Sequence, residues 1–364
     1  MTTHERPRPP EGQVPDGLSI HDLIEAARLE EQRGALPLAF DCFAAAAARL
    51  RESEDTRTLA DVVRWMGTVR REQGDTTEAQ ALYTESLYVA EAIPYRAGEA
   101  HALNCLAIIA QRRGSIDEAS GLYRRAARFA RDGQETRLLG MIEQNLGVLA
   151  NIRGDLDGAL VRYRAALEAF ELADDQQAAS WVLNNLGMLH TDLSRFDEAR
   201  TYFERGLAIA VDREDRMMQA ACHLNLAESL LTQRMWVEAR AACEEAIRIS
   251  EDRGDRLRHA GALKFLGVIE RESGDLAVAF GHHGDALVLA KEGEDTLLEA
   301  ELMREIGLDH AADGDVSEAR SSWTRSAELF QSIGASLDAS SIADLLAGLP
   351  EPVGSRPTRQ GGVG

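Results

Sequence analysis

An alanine recurs every 40 residues without one insertion: Ala39, Ala79, Ala119, Ala159, Ala199, Ala239, Ala279 and Ala319. A repeat this regular constrains the fold more than any composition figure, because each copy must take the same local structure and stack on the next. Five residues before the alanine stands Gly34, Gly74, Gly114, Gly154, Ser194, Arg234, Gly274 or Gly314. Four residues after it stands Phe43, Tyr83, Tyr123, Tyr163, Phe203, Cys243, His283 or Trp323. Twelve residues before it is a small residue, from Ala27 and Gly67 through Gly147 and Gly187 to Gly307, each preceded by an apolar one such as Leu146 or Leu186.

Each unit reads as a helical hairpin. In the first helix (helix A), apolar residues recur at helical spacing, as in Leu183, Leu186 and Leu189. The small residue beside them lets the second helix (helix B) approach closely. A Gly-Asp pair follows at Gly74-Asp75, Gly154-Asp155, Gly274-Asp275 and Gly314-Asp315. Glycine supplies the left-handed backbone that ends helix A, and Asp caps helix B. Ser194 and Arg234 break this pattern, so the hairpins of repeats five and six are expected to bend differently. A lone hairpin cannot bury both apolar faces, so the units must stack into an all-α solenoid.

The combination of an apolar residue and Gly in helix A with Ala and an aromatic in helix B resembles the tetratricopeptide repeat. The resemblance covers about residues 19–349, with eight repeats over 19–334, and implies a right-handed superhelix. The 40-residue period exceeds the commoner 34, and no proline closes helix B, where Arg51, Glu91 and Glu171 stand instead. Both departures mean longer helices. The run Leu183-Asn184-Asn185-Leu186-Gly187 looks like the longer-repeat subfamily of kinesin light chains, Rap-type regulators and MalT-like activators. Flanking the repeats, 1–18 is a Pro-rich segment expected to be disordered, with Ser19 as N-cap of the first helix. Residues 335–349 form a helix that covers the last repeat, and the Pro/Gly-rich 350–364 is expected to be flexible.

Composition excludes several classes. With 61 acidic against 40 basic side chains the net charge is −21, the opposite of a nucleic-acid footprint. Much of the acid falls at helix starts, in one row of Asp55, Glu135, Asp175, Asp215, Asp255 and Asp295 and another of Glu78, Glu118, Glu198, Glu238 and Glu318. There it favours the positive end of a helix dipole. No apolar run approaches a membrane span, and the first residues hold no secretory h-region. The four cysteines, Cys42, Cys105, Cys222 and Cys243, form no metal or redox pair and read as reduced, buried thiols of a cytoplasmic protein. Phosphate-binding, zinc and nucleophile-elbow motifs are missing. His282-His283 is the one adjacent histidine pair, and its rings point about 100° apart on a helix. His283 also occupies the aromatic slot. No catalytic residue, metal or cofactor is expected.

The informative face is on helix A, away from its Leu stripe. Of eighteen such positions in repeats three to five, only Arg112 and Asp192 are charged, whereas the chain-wide 28% would place about five. They include Asn104, Met141, Gln144, Asn145, Trp181, Asn184, Asn185 and Met188. In the family this face lines a concave groove, so the resemblance implies a ligand surface there. Independently, an amide both donates and accepts, and can pair with a peptide backbone of any sequence. On that reading Asn104, Asn145, Asn185 and Asn225 form a ladder, Trp181, Met141 and Met188 are apolar anchors, and Arg64, Arg71, Lys264, Arg271 and Arg304 steer acidic groups. On the other reading the amides bond to the adjacent repeat and the face is structural.

The leading expectation is a non-enzymatic module that binds a linear peptide or partner helix, as adaptor or regulator. The alternatives are a ligand-responsive sensor acting in trans, as in Rap-type and MalT-like proteins, and an assembly scaffold that self-associates. The expected partner is another protein or peptide, with no nucleic acid or membrane.

Overall fold

The computed structural model describes residues 17–350, so the two terminal segments lie outside the described residues. Contacts divide the chain into two compact units, one through Val182 and one from Leu183. Among the described residues there are helices and no strands.

The first unit contains α1 (Ile20–Gln32), α2 (Leu36–Arg51), α3 (Thr56–Glu72) and α4 (Thr76–Ala92). It continues with α5 (Arg96–Arg112), α6 (Ile116–Asp132), α7 (Thr136–Ile152) and α8 (Leu156–Leu172). Helix α9 (Gln176–Asp192) carries the division between the units. The second unit contains α10 (Phe196–Asp212), α11 (Arg216–Thr232), α12 (Trp236–Arg253) and α13 (Arg256–Ser273). It ends with α14 (Leu276–Glu292), α15 (Thr296–Asp313), α16 (Val316–Ser332) and α17 (Ser336–Ala347). Odd-numbered helices α1 to α15 are the A helices and even-numbered ones the B helices, and each pair packs as a hairpin.

The 40-residue rows of the sequence are the rows of the core. The repeated alanines Ala39, Ala79, Ala119 and Ala159 of the first unit, and Ala199, Ala239, Ala279 and Ala319 of the second, are all fully buried. The small residue of helix A faces the aromatic of its own helix B. A Cβ on Gly67 would lie 2.7 Å from the Tyr83 ring, and one on Gly147 would lie 2.6 Å from Tyr163. At Gly187, Gly267 and Gly307 the same atom would meet Phe203, His283 and Trp323 at 2.5, 2.3 and 2.4 Å. At these five positions a Cβ would have to push the ring aside. Where the slot holds His283, the buried ring is held by polar bonds: Nδ1 lies 2.5 Å from Asp309, and Nε2 lies 3.1 Å from the Lys264 carbonyl oxygen.

The turns follow one design. After Gly74, in the left-handed region at φ 86°, the Asp75 N–H donates to the Arg70 carbonyl at 2.9 Å, and the Asp75 carboxylate accepts from Glu78 N–H. Ser194 (φ 56°) and Arg234 (φ 59°) adopt the same conformation, and Arg195 and Met235 N–H donate back to His190 and Leu230 as a glycine turn does. The expected difference in bend is therefore corrected: stacking of the flanking helices imposes the turn and holds two side chains in a disfavoured region. The turns between repeats use this conformation too, on Gln134, Asp174, Glu214 and Glu294. The next residue caps the A helix at Asp55, Asp175, Asp215, Asp255 and Asp295. Glu135, one methylene longer, makes no such cap.

The first helix begins with a complete capping box between Ser19 and Asp22. The last helix, α17, lays Ile342 on Leu329 and Phe330 of α16 and covers the end of the second unit's core. All four cysteines are free and buried, and burial pushes the Cys222 and Cys243 thiols up to about 12. No described helix is long and apolar enough to cross a membrane.

Candidate functional site

Within each unit successive A helices touch one another, α3 to α5 to α7 and α11 to α13 to α15, so equivalent positions form rows across neighbouring helices. In the first unit the row Arg64, Asn104, Gln144 lies beside the row Trp65, Cys105, Asn145. The proposed asparagine ladder is therefore not one row: Asn104 stands one residue earlier in the repeat than Asn145, Asn185 and Asn225, and the difference turns its side chain by about 100°. Asn104 is 4% exposed, packed inside rather than presented to a ligand. Gln144 and Asn145 are half-buried, and neither amide bonds another described residue. Met141 and Trp181, both half-buried, share a row with His101. Burial pushes the His101 imidazole down to about 4, with Arg64 and Arg137 adding to the effect, so the ring is neutral at pH 7.

In the second unit Asn184 is 4% exposed and accepts a hydrogen bond from Asn225 Nδ2 at 3.0 Å, tying α9 to α11. At this pair the amides serve packing between repeats. Asn185 remains half-buried without a bond to another described residue, and Met188 is 41% exposed.

The basic residues assigned a steering role are engaged elsewhere. Lys264 Nζ lies 2.5 Å from Glu301, and Arg271 is buried between Glu305 at 2.8 Å and Asp309 at 2.9 Å. Arg304 pairs with Glu305 at 3.1 Å, and Arg64 with Asp61 at 3.3 Å. Pairing of this kind neutralises the charge that would attract an acidic ligand. Arg71 lies 3.9 Å from Glu72.

Elsewhere the titratable groups are structural. His190 packs its buried ring on Tyr202, and His310 packs on Phe280. Glu143, 2% exposed, receives Arg131 at 2.6 Å and Arg162 at 2.8 Å. Among the described residues no group of three or more His, Cys, Asp and Glu could hold a metal. A cleft of about 460 Å³ between α11, α13 and α15 is lined in part by Asn225 and Lys264, two of the residues the sequence assigns to binding.

The stacked hairpins, the Gly-against-aromatic contacts and the capped turns define a helical-repeat protein whose A helices offer a continuous face within each unit. The tetratricopeptide-repeat family model matches residues 58–132 and 138–210, and these residues carry tetratricopeptide repeats. No curated protein matches the sequence. Among solved structures, BtubC (BKLC) from P. vanneervenii is 22% identical with a TM-score of 0.52, over 65% of this chain and 93% of that one. The apo quorum sensor NprR from B. thuringiensis is 10% identical with a TM-score of 0.60, over 90% and 96%. The Rap conjugation gene regulator of plasmid pLS20, in complex with the Phr* peptide, is 17% identical with a TM-score of 0.54, over 75% and 74%. At these identities the likeness is one of fold.

Proposed function

We propose that this protein is a non-enzymatic interaction module that binds a linear peptide or partner helix along its A-helix face, as an adaptor or regulator. The observation that carries the reading is the set of half-buried amides that bond no described residue: Gln144 and Asn145 in the first unit, on the same helix as Met141, and Asn185 in the second, on the same helix as Met188. Such amides are partly desolvated already and gain two directed bonds from a passing peptide backbone. Met on the same helix gives apolar contact that adapts to the ligand.

A second reading, a peptide-responsive sensor that acts on a separate partner, is favoured by the likeness of fold to the quorum sensor NprR and to a Rap regulator in complex with the Phr* peptide. On that reading the peptide binds one conformation of the repeats better than another.

The test is a display selection of random dodecapeptides against the full chain, followed by anisotropy titration of a recovered peptide. Replacing Asn145 and Asn185 together by Ala is expected to weaken binding roughly tenfold, with the melting temperature nearly unchanged. A large loss of melting temperature with binding intact overturns the reading, as does a selection that recovers nothing.

A further inference from the structure

The repeat position that holds His101, Met141 and Trp181 in the first unit holds Ala221, Gly261 and Glu301 in the second. Gly261 leaves a gap at that position. A Cβ built on it would meet only Leu224, at 3.3 and 3.6 Å. The cleft between α11, α13 and α15 includes this gap, and its apolar walls are Leu224, Leu257, Phe265, Leu297 and Leu298. Leu257 and Leu297, equivalent residues of successive repeats, are 38% and 48% exposed at its edge. Exposed leucines one repeat apart beside an open backbone position form an apolar seat without an occupant in this chain.

Charge selects what lies next to that seat. Glu228, Asp255, Asp295 and Glu301 line the cleft against Arg258 and Lys264. Arg258 pairs with Asp255, and Lys264 pairs with Glu301. Asp295 caps α15 through the Leu298 N–H. The Glu228 carboxylate is left without a hydrogen bond or ion pair among the described residues. Glu228 is exposed to the cleft. A cation arriving beside it pairs with that charge, whereas an anion meets a lining of four carboxylates against two cations.

Resting on the peptide-binding reading, we infer that this cleft is a specificity pocket for a linear segment that pairs a large aliphatic side chain with an adjacent Lys or Arg. The aliphatic side chain sits over Gly261 between Leu224 and the Leu257–Leu297 edge. The neighbouring cation pairs with Glu228. The substituted amides of the first test stand outside this pocket, so the two readings fail separately.

Three dodecapeptide pools with random flanks and a fixed central pair (Leu-Arg, Leu-Glu or Ser-Arg) are displayed against the full chain. Recovery of the Leu-Arg pool is expected to exceed the other two roughly tenfold. Gly261→Met fills the pocket with the residue that stands at Met141, and is expected to cut Leu-Arg recovery by a similar factor. Leu297→Ser, at an exposed position, is expected to weaken it without touching the core. Glu228→Gln is expected to level Leu-Arg and Leu-Glu. Equal recovery of the three pools, or a folded Gly261→Met and a Leu297→Ser that both bind like wild type, overturns the pocket and leaves the amide face standing. No recovery of any pool overturns both.

Discussion

Gly187 packs against Phe203 so closely that one methyl group should separate their helices. A Cβ there would lie 2.5, 2.6 and 2.7 Å from Cε1, Cδ1 and Cζ of the ring. Ordinary carbon contacts sit near ~3.5–4.0 Å, so the overlap is about 1 Å against a ring that is 1% exposed and has nowhere to turn. Overpacking of this kind costs about 1–3 kcal/mol. Alanine is favoured over glycine inside a helix by about 1 kcal/mol. Gly187→Ala is therefore expected to destabilise the protein by up to about 2 kcal/mol, although it improves the helix. Phe203→Leu removes the ring edge and reverses the sign. In that background Gly187→Ala should stabilise by up to ~1 kcal/mol, giving a coupling of about 1–3 kcal/mol. Urea denaturation of the four proteins, followed by circular dichroism, measures the cycle. An equal effect of Gly187→Ala in both backgrounds refutes the argument that close approach is why the repeat keeps a small residue there.

Four further outcomes follow from the turns, the caps and the buried charges. Arg234→Gly should stabilise by about 0.5–1 kcal/mol in the same denaturation assay, because φ 59° disfavours any side chain. Asp215→Ala, which removes the bond to Met218 N–H, should cost about 1 kcal/mol, while Glu135→Ala costs almost nothing and Glu135→Asp gains a cap. Asp309→Leu should cost about 3–5 kcal/mol by leaving Arg271 and His283 without their shared carboxylate, a loss read from the thermal midpoint. His101 is held at about 4 when folded and takes a proton near 6.5 when unfolded, so stability should fall as pH drops through that window. With the ring 32% exposed and Glu135 3.9 Å away, the loss should be about 1–2 kcal/mol, and a titration of urea midpoints on His101→Gln should lack it.

The fold was legible because its determinants recur. Ala39 to Ala319, the glycines opposite the aromatics and the Gly-Asp turns each state one contact several times, so a substitution such as His283 in an aromatic row is read by position. Ser194 and Arg234 misled because local preference was weighed alone. The stacking of whole helices outweighs about 1 kcal/mol of backbone strain, and Gln134, Asp174, Glu214 and Glu294 bear it as well. The candidate site was less legible. A helical face can be drawn from sequence, but not which of its residues the next helix covers. Asn104, Asn184 and Arg271 were lost from the open face for that reason, and Lys264 was neutralised by Glu301 in the adjacent repeat. The cleft at Gly261 follows from a repeat position that is large in the first unit and small at Ala221 and Gly261 in the second. Comparing His101, Met141 and Trp181 with Gly261 would have exposed it.

The central claim is that the A helices carry ligand recognition and the B helices carry the scaffold. Hydrogen–deuterium exchange by mass spectrometry, on the full chain with and without a display-selected peptide at saturation, tests it directly. The account predicts added protection in A helices, in α7 and α9 and in α11, α13 and α15, with the B helices α8, α12, α14 and α16 unchanged. Protection confined to the B helices, or no change under conditions where the peptide is bound, contradicts it.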